Sequence, residues 1–208
     1  MKGTPLDRLI DQVAQSVSDL RVLEAMRSVR RERFLRESER QFAFLDTALP
    51  IGMGQTISQP TIVAVMTEAL RLTGEERVLE VGTGSGYQAA ILSLLAGEVV
   101  SVEVVPELRE RAAALLDELG IGNVHVVDPR GLVGCPDRAP FDRIIVTAAC
   151  PAVPPSLLEQ LGTPGIMVLP VGSRNIQELV MLTRKEESLE RQDLGGCRFV
   201  PLTGPEGF

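Results

Sequence analysis

Apolar residues in the first part of the chain recur at helical spacing: Leu6, Leu9, Ile10, Val13, Val17 and Leu20, then Leu23 and Met26. One or two amphipathic helices account for residues 6–28. The run Arg27-Ser28-Val29-Arg30-Arg31-Glu32-Arg33-Phe34 leads out of them. With acids close by and no interleaved aromatics, it reads as a solvated helix face in preference to a nucleic-acid surface. From Ala48 to Pro60 the periodicity vanishes into prolines, glycines and small polar residues, which predicts a long loop. Loops of this length and character commonly carry function. Thr61 to Leu72 then returns to a helical apolar face, closed by Gly74.

Beyond Gly74 the period alternates between strand and helix. Strands are predicted at Val78–Val81, Glu98–Val105, Val124–Val127, Phe141–Ala149 and Gly165–Val171. Helices are predicted from Gln88, over Pro106 to Leu119 with Gly120 as terminator, and over Pro155 to Leu161. The stretch after Arg143 is uncharged, so the fourth of these strands is expected at the centre of a sheet. Gln177–Thr183 and Arg198–Leu202 read as a closing hairpin joined by the charged turn around Glu186–Asp193. Such alternation implies an α/β fold: a doubly wound, mostly parallel sheet with N-terminal helices and a C-terminal antiparallel hairpin. Ligands then belong at the carboxyl ends of the strands. One domain is expected over 1–208, with 1–60 holding the N-terminal helices and the long loop, and 61–208 the sheet core.

The 208 residues can bury a sizeable core, and 44% hydrophobic with 24% charged residues is ordinary for a globular protein. The net charge of −7 argues against nonspecific binding to nucleic acid or an anionic membrane. No apolar run reaches the length of a membrane span, and Ile91 to Val105 is broken by Glu98 and Glu103. The start, Met1-Lys2-Gly3-Thr4-Pro5-Leu6-Asp7, lacks the apolar centre of a signal peptide, so a cytoplasmic protein is expected. The sequence does not give the oligomeric state; a monomer is favoured. Cys135, Cys150 and Cys197 lack metal-ligand spacing and are expected as buried free thiols, with no metal bound. His125, the lone histidine, lies in the apolar run Val124-His125-Val126-Val127 and reads as a strand residue, which disfavours a Ser-His-Asp hydrolase.

The chemistry concentrates in Val78-Leu79-Glu80-Val81-Gly82-Thr83-Gly84-Ser85-Gly86-Tyr87. A β-branched run ends in three alternate glycines and a helical pattern follows, which brings backbone N–H groups and a helix N-terminus towards a ligand. The spacing is G-x-G-x-G and differs from the G-x-G-x-x-G of dinucleotide binders. Glu103 follows about 20 residues later, at the end of the next strand, where an acid can accept both hydroxyls of an adenosine ribose. Ser58 and Gln59 precede Pro60, the expected first residue of a helix. Ser58 therefore has two readings, a helix cap or a site residue.

Taken together, Ala48–Gly52 with Gly54-Gln55-Thr56-Ile57-Ser58-Gln59-Pro60, the run Val78–Tyr87, Phe141–Ala149 and Arg198-Phe199-Val200-Pro201-Leu202 resemble protein-L-isoaspartate O-methyltransferases. The resemblance extends from about Arg30 to the C-terminus, and the loop before Pro60 is its specific part. It implies a Rossmann-like methyltransferase that uses S-adenosyl-L-methionine, releases S-adenosyl-L-homocysteine, and esterifies the α-carboxyl of isoaspartyl residues in aged proteins and peptides. By the same resemblance Ser58 is the active-site serine. Ile57, Glu80, Gly82, Thr83, Gly84, Gly86, Glu103, Gly131 and Thr203 are implied at the cofactor, and Thr56, Ser58, Gln59 and Val200 at the substrate.

One block departs from the family. Relatives usually read Gly-Asp-Gly after the third strand, with the acid lining the adenine site, whereas this chain has Pro129-Arg130-Gly131 and places Asp128 two residues early. Loss of one adenine hydrogen bond costs about 1–2 kcal/mol, roughly five- to thirty-fold in affinity. Weakened binding of S-adenosylhomocysteine, restored by Arg130→Asp, is therefore expected. Two alternatives stay open: a family member with a different carboxylate or peptide acceptor, and a non-catalytic relative that binds cofactor or protein.

Overall fold

The computed structural model describes residues 3–208. Thr4 and Asp7 form a reciprocal capping box that starts helix α1 (Pro5–Val13), and the Asp19 carboxylate caps α2 (Leu20–Ser28). Two caps, with a break between them, make this region two helices. A short hairpin follows, β1 (Leu49–Gly52) and β2 (Gln55–Ile57), then α3 (Pro60–Ala69). Next come β3 (Arg77–Val81), α4 (Tyr87–Ser93), β4 (Glu98–Val102), α5 (Pro106–Glu118), β5 (Val124–Val127) and β6 (Phe141–Val146). The chain closes with α6 (Pro155–Gln160), β7 (Leu161–Gly172), β8 (Gln177–Arg184) and β9 (Leu189–Cys197).

One seven-stranded sheet has the order β5-β4-β3-β6-β7-β8-β9. The strands from β3 to β7 pair in parallel, and β8 and β9 add antiparallel. β6 is the middle strand, as the uncharged stretch after Arg143 predicts. The chain lays β4 and β5 to one side of β3, then crosses to the other side for β6. The carboxyl ends of β3 and β6 therefore flank the switch point at which a doubly wound sheet opens a crevice.

Both faces of the sheet are buried. Val78, Val99, Ile145 and Val168 pack into the layer that includes the N-terminal helices and α4, while Leu79, Val100, Ile144 and Met167 pack on the opposite face. Leu79 is fully buried, and its truncation to Ala is expected to cost about 2–5 kcal/mol.

Three expectations need correction. Residues 48–60 include a hairpin, which Arg36 Nε and Arg111 Nη2 anchor by donating to the Ile51 carbonyl, each at 3.1 Å. The last strand is Leu189–Cys197 and not Arg198–Leu202. Its side chains are mostly exposed because it lies at the sheet edge, so it lacks the apolar alternation that marks a half-buried strand. Arg198–Leu202 instead runs over the carboxyl end of the sheet, with Pro201 bridged to Ala149. Finally, the basic cluster is not a uniformly solvated face: Arg31 opens a 3₁₀ turn (Arg31–Phe34) and is only 3% exposed.

Candidate active site

The glycine turn folds back on the end of β4. Gly82 N–H and Thr83 N–H both donate to the Val102 carbonyl, at 2.9 and 3.1 Å, and Gly86 N–H donates to the Thr83 carbonyl at 2.8 Å. The three glycines stand at φ of +103°, +54° and +88°, conformations that a side chain would strain. At Gly82 a Cβ would also lie 2.5 Å from Thr147 Oγ1, and that hydroxyl donates to the Gly82 carbonyl at 2.6 Å. Gly86 has a different job. A Cβ there would sit an ordinary 3.4 Å from Ala112 Cβ, so it is the left-handed backbone at the N-cap of α4, and not a lack of space, that calls for glycine.

Glu103 is buried just past β4 and is tied on both oxygens. Gly84 N–H donates to Oε2 at 2.8 Å and Val105 N–H donates to Oε1 at 2.9 Å. Each carboxylate oxygen has a second lone pair left for a ligand hydroxyl. Glu80 lies deeper, fully buried on β3. Its Oε2 accepts from the Ser101 hydroxyl, which in turn lies 2.5 Å from Thr83 Oγ1, while Oε1 has no partner among the described residues. Burial pushes the Glu80 carboxyl up to about 8, against the Ser101 hydrogen bond and with a smaller push from the nearby Glu103 charge.

An open cleft lies over this turn. Gly82, Gly84 and Glu103 form one wall, the loop residues Pro129, Leu132 and Val133 another, and Val200 and Thr203 close it from the C-terminal segment. That segment is held by Ala149 N–H donating to the Val200 carbonyl and Leu202 N–H donating to the Ala149 carbonyl, each at 2.8 Å. A smaller recess lined by Thr56, Ile57, Ser58 and Thr83 adjoins the cleft and shares Thr56, Gly82, Gly84 and Thr147 with it.

The two readings of Ser58 separate here. The N-terminus of α3 is served by Asp46, whose Oδ1 accepts from Thr61 N–H and whose Oδ2 accepts from Thr61 Oγ1, both at 2.8 Å. The Ser58 hydroxyl does not cap the helix, and it has no hydrogen-bond partner among the described residues. It borders the recess as a half-buried, uncommitted donor.

The structure thus brings Thr56, Ile57, Ser58, Gly82, Thr83, Gly84, Glu103, Val200 and Thr203 to the cleft and its recess. Gln59 lies outside both, its side-chain amide donating to Asp46 at 2.9 Å. Glu80 lies beneath the turn, and Gly86 stands at the N-cap of α4, lining neither the cleft nor the recess. Arg130 and Gly131 occupy the exposed crest of their loop, Arg130 at φ +52° with its N–H on Asp128 Oδ1 at 2.8 Å, while Pro129 and Leu132 line the cleft. Sequence reasoning missed Thr147, although its place at the end of the central strand was the available signal. Asp46 carried no such signal, because its partners become neighbours only through the fold.

Chemically, the site offers backbone N–H groups, hydroxyls and one ionised acceptor in an apolar setting. The three cysteines are free, but only Cys150 is buried as expected, Cys135 and Cys197 being half-buried; burial pushes the Cys150 thiol up to about 12 and the Cys197 thiol up to about 11, which suits neither to nucleophilic work. No cluster of three metal-ligating side chains occurs among the described residues. Glu103 with open lone pairs, the exposed Gly84 surface and the apolar Leu132 and Val133 fit an S-adenosyl nucleoside.

Comparison with known proteins bears on the family and the fold. The family model described as protein-L-isoaspartate(D-aspartate) O-methyltransferase matches residues 6–207. A protein-L-isoaspartate O-methyltransferase of Anaeromyxobacter dehalogenans (strain 2CP-1 / ATCC BAA-258) is 54% identical over 190 residues, which is 90% of this chain and 91% of that protein. A solved protein-L-isoaspartate O-methyltransferase superposes with a TM-score of 0.85 at 31% identity, over 96% of this chain and 66% of its own. A Plasmodium falciparum structure described as a beta-aspartate methyltransferase in complex with S-adenosyl-L-homocysteine shares the fold, with a TM-score of 0.79 at 21% identity over 95% of this chain and 98% of its own.

Proposed function

The chain belongs to the protein-L-isoaspartate(D-aspartate) O-methyltransferase family, and on that premise we propose how its residues esterify the α-carboxyl of L-isoaspartyl residues in damaged proteins, the step that initiates their repair. S-Adenosylmethionine, when bound, supplies a methyl group on a positively charged sulfur. The acceptor carboxylate is already ionised at neutral pH, so the protein needs no general base. Its task is to hold the acceptor in line and keep water out, which is catalysis by proximity and orientation. The uncommitted Ser58 hydroxyl beside the glycine turn carries this reading.

In this scheme Glu103 accepts the ribose hydroxyls, and Ile57, Gly82, Thr83, Gly84 and Thr203 line the rest of the cofactor's path. Glu80 and Gly86 shape the turn from below and behind. Gly131 contributes through the path of its loop, whose neighbours Pro129 and Leu132 present the contact surface. Ser58 donates to the acceptor carboxylate or its adjoining amide, with Thr56 and Val200 beside it, and Gln59 holds the loop through Asp46. Isoaspartyl proteins of the cytoplasm are the proposed partners. The free state of Cys135, Cys150 and Cys197 supports a reducing compartment.

Incubation with methyl-labelled S-adenosylmethionine and an isoaspartyl peptide, beside its aspartyl twin, tests the proposal. Label on the isoaspartyl peptide alone is expected. Equal labelling of both peptides, or of neither, would overturn it.

A further inference from the structure

We infer that Arg31 is a positioning residue for methyl transfer: its buried guanidinium fastens the backbone of Ser58 to residues 43–47 and so fixes where the Ser58 hydroxyl stands. The inference rests on the proposed role of Ser58. Arg31 Nη1 donates to the carbonyls of Ala43 at 2.8 Å and Leu45 at 3.2 Å. Nη2 donates to the carbonyls of Thr47 at 2.8 Å and of Ser58 itself at 3.1 Å. Four N–H groups of one planar fork thus reach four backbone acceptors, one of them on the serine. Asp46, within the same segment, grips Gln59 and Thr61 on the other side of Ser58. The residue is therefore held at its own carbonyl and at two positions beyond it, while its hydroxyl is left free.

A merely structural side chain would be cheaper here. Arg31 is 3% exposed and has no carboxylate within ion-pair distance among the described residues. Its Nε is buried without a partner, and burial pulls the guanidinium below its ordinary pKa. A desolvated cation with an unused donor is costly to bury, and apolar residues of similar volume commonly hold a fold as well or better. What an apolar residue cannot do is fix four carbonyls at defined directions around a loop with little regular secondary structure. Catalysis that depends on alignment loses about a hundred-fold in rate for a displacement of about 1 Å, which is the sensitivity this clamp addresses.

The test is a double-mutant cycle in the full chain with Arg31→Lys and Ser58→Ala, read as kcat and KM for an isoaspartyl peptide and as S-adenosylhomocysteine affinity by calorimetry, at a temperature where every variant is folded. Lysine keeps the charge but places its donors on a single point. Arg31→Lys is expected to lower kcat about ten- to a hundred-fold. Cofactor affinity should stay within about threefold, and in the Ser58→Ala background the same change should alter kcat by less than about threefold. An equal loss in both backgrounds, or a parallel loss of cofactor affinity, would overturn the positioning role while leaving that of Ser58 intact. Full activity of Ser58→Ala alone would overturn both. Should Arg31→Lys fail to fold, Asp46→Asn serves in the same cycle. Its loss must likewise disappear without the serine hydroxyl, and an additive loss counts against the clamp.

Discussion

Glu80 gives the account a sharp thermodynamic handle. Its carboxyl is fully buried, one oxygen lacks a partner, and its pKa is raised from 4.5 to about 8. Because the folded state holds this proton more tightly than the unfolded chain, the contribution is complete below pH 4.5 and is lost as the pH rises through about 8. Between about pH 5.5 and about pH 8 the loss spans about 2.5 units, or about 3 kcal/mol. Glu80→Gln keeps an acceptor for the Ser101 hydroxyl but has no proton to release. Its unpaired amide adds a cost of about 1–3 kcal/mol that does not vary with pH. Urea unfolding of both proteins, followed by circular dichroism at the two pH values, isolates the pH-dependent part. The stability of the wild type relative to the variant should fall by about 3 kcal/mol on going to the higher pH. Parallel profiles would refute the argument that burial keeps this acid neutral.

Other predictions address the cleft. Glu103→Gln removes the ionised acceptor that Gly84 and Val105 hold in place, and calorimetry should show S-adenosylhomocysteine binding weakened about ten- to a hundred-fold. Ser58→Ala should lower kcat for an isoaspartyl peptide about a hundred-fold while cofactor affinity stays within about twofold, as measured by steady-state kinetics and calorimetry. Arg130→Asp tests the departure from Gly-Asp-Gly: S-adenosylhomocysteine binding tightened about fivefold or more is expected of an acid restored at the adenine site, and unchanged or weaker binding, in line with the exposed position of residue 130 outside the cleft, would count against that alignment.

The sequence disclosed most of the sheet because its strands are buried on both faces and read as mostly apolar runs bounded by turns, as at Val78–Val81, broken only by Glu80, and at Ile144–Val146. β9 escaped notice for the converse reason. An exposed edge strand reading Leu-Glu-Arg-Gln-Asp-Leu is held by backbone pairing to β8 and needs no apolar face. Arg198–Leu202 looked like a strand because it is apolar, but its partners are Ala149 and the cleft. Within the site, the glycine turn and Glu103 were legible because both lie in one strand-turn-helix-strand unit. The state of Ser58 was not. Whether its hydroxyl caps α3 depends on Asp46, twelve residues away in sequence, whose carboxylate reaches Thr61 only once the chain has folded. Arg31 was misjudged in the same way, since a basic run gives no sign of which member turns inward.

The central proposal is spatial: a nucleoside held on Glu103 would bring its methyl donor over the glycine turn, towards the recess of Ser58. A crystal structure with S-adenosylhomocysteine and an isoaspartyl peptide tests it most directly. The account predicts the ribose hydroxyls on Glu103, the sulfur beside Gly82 and Thr147, and the peptide's α-carboxylate within hydrogen-bonding reach of Ser58. A nucleoside bound away from Glu103, or a carboxylate that approaches the sulfur from a side that Ser58 cannot touch, would contradict it.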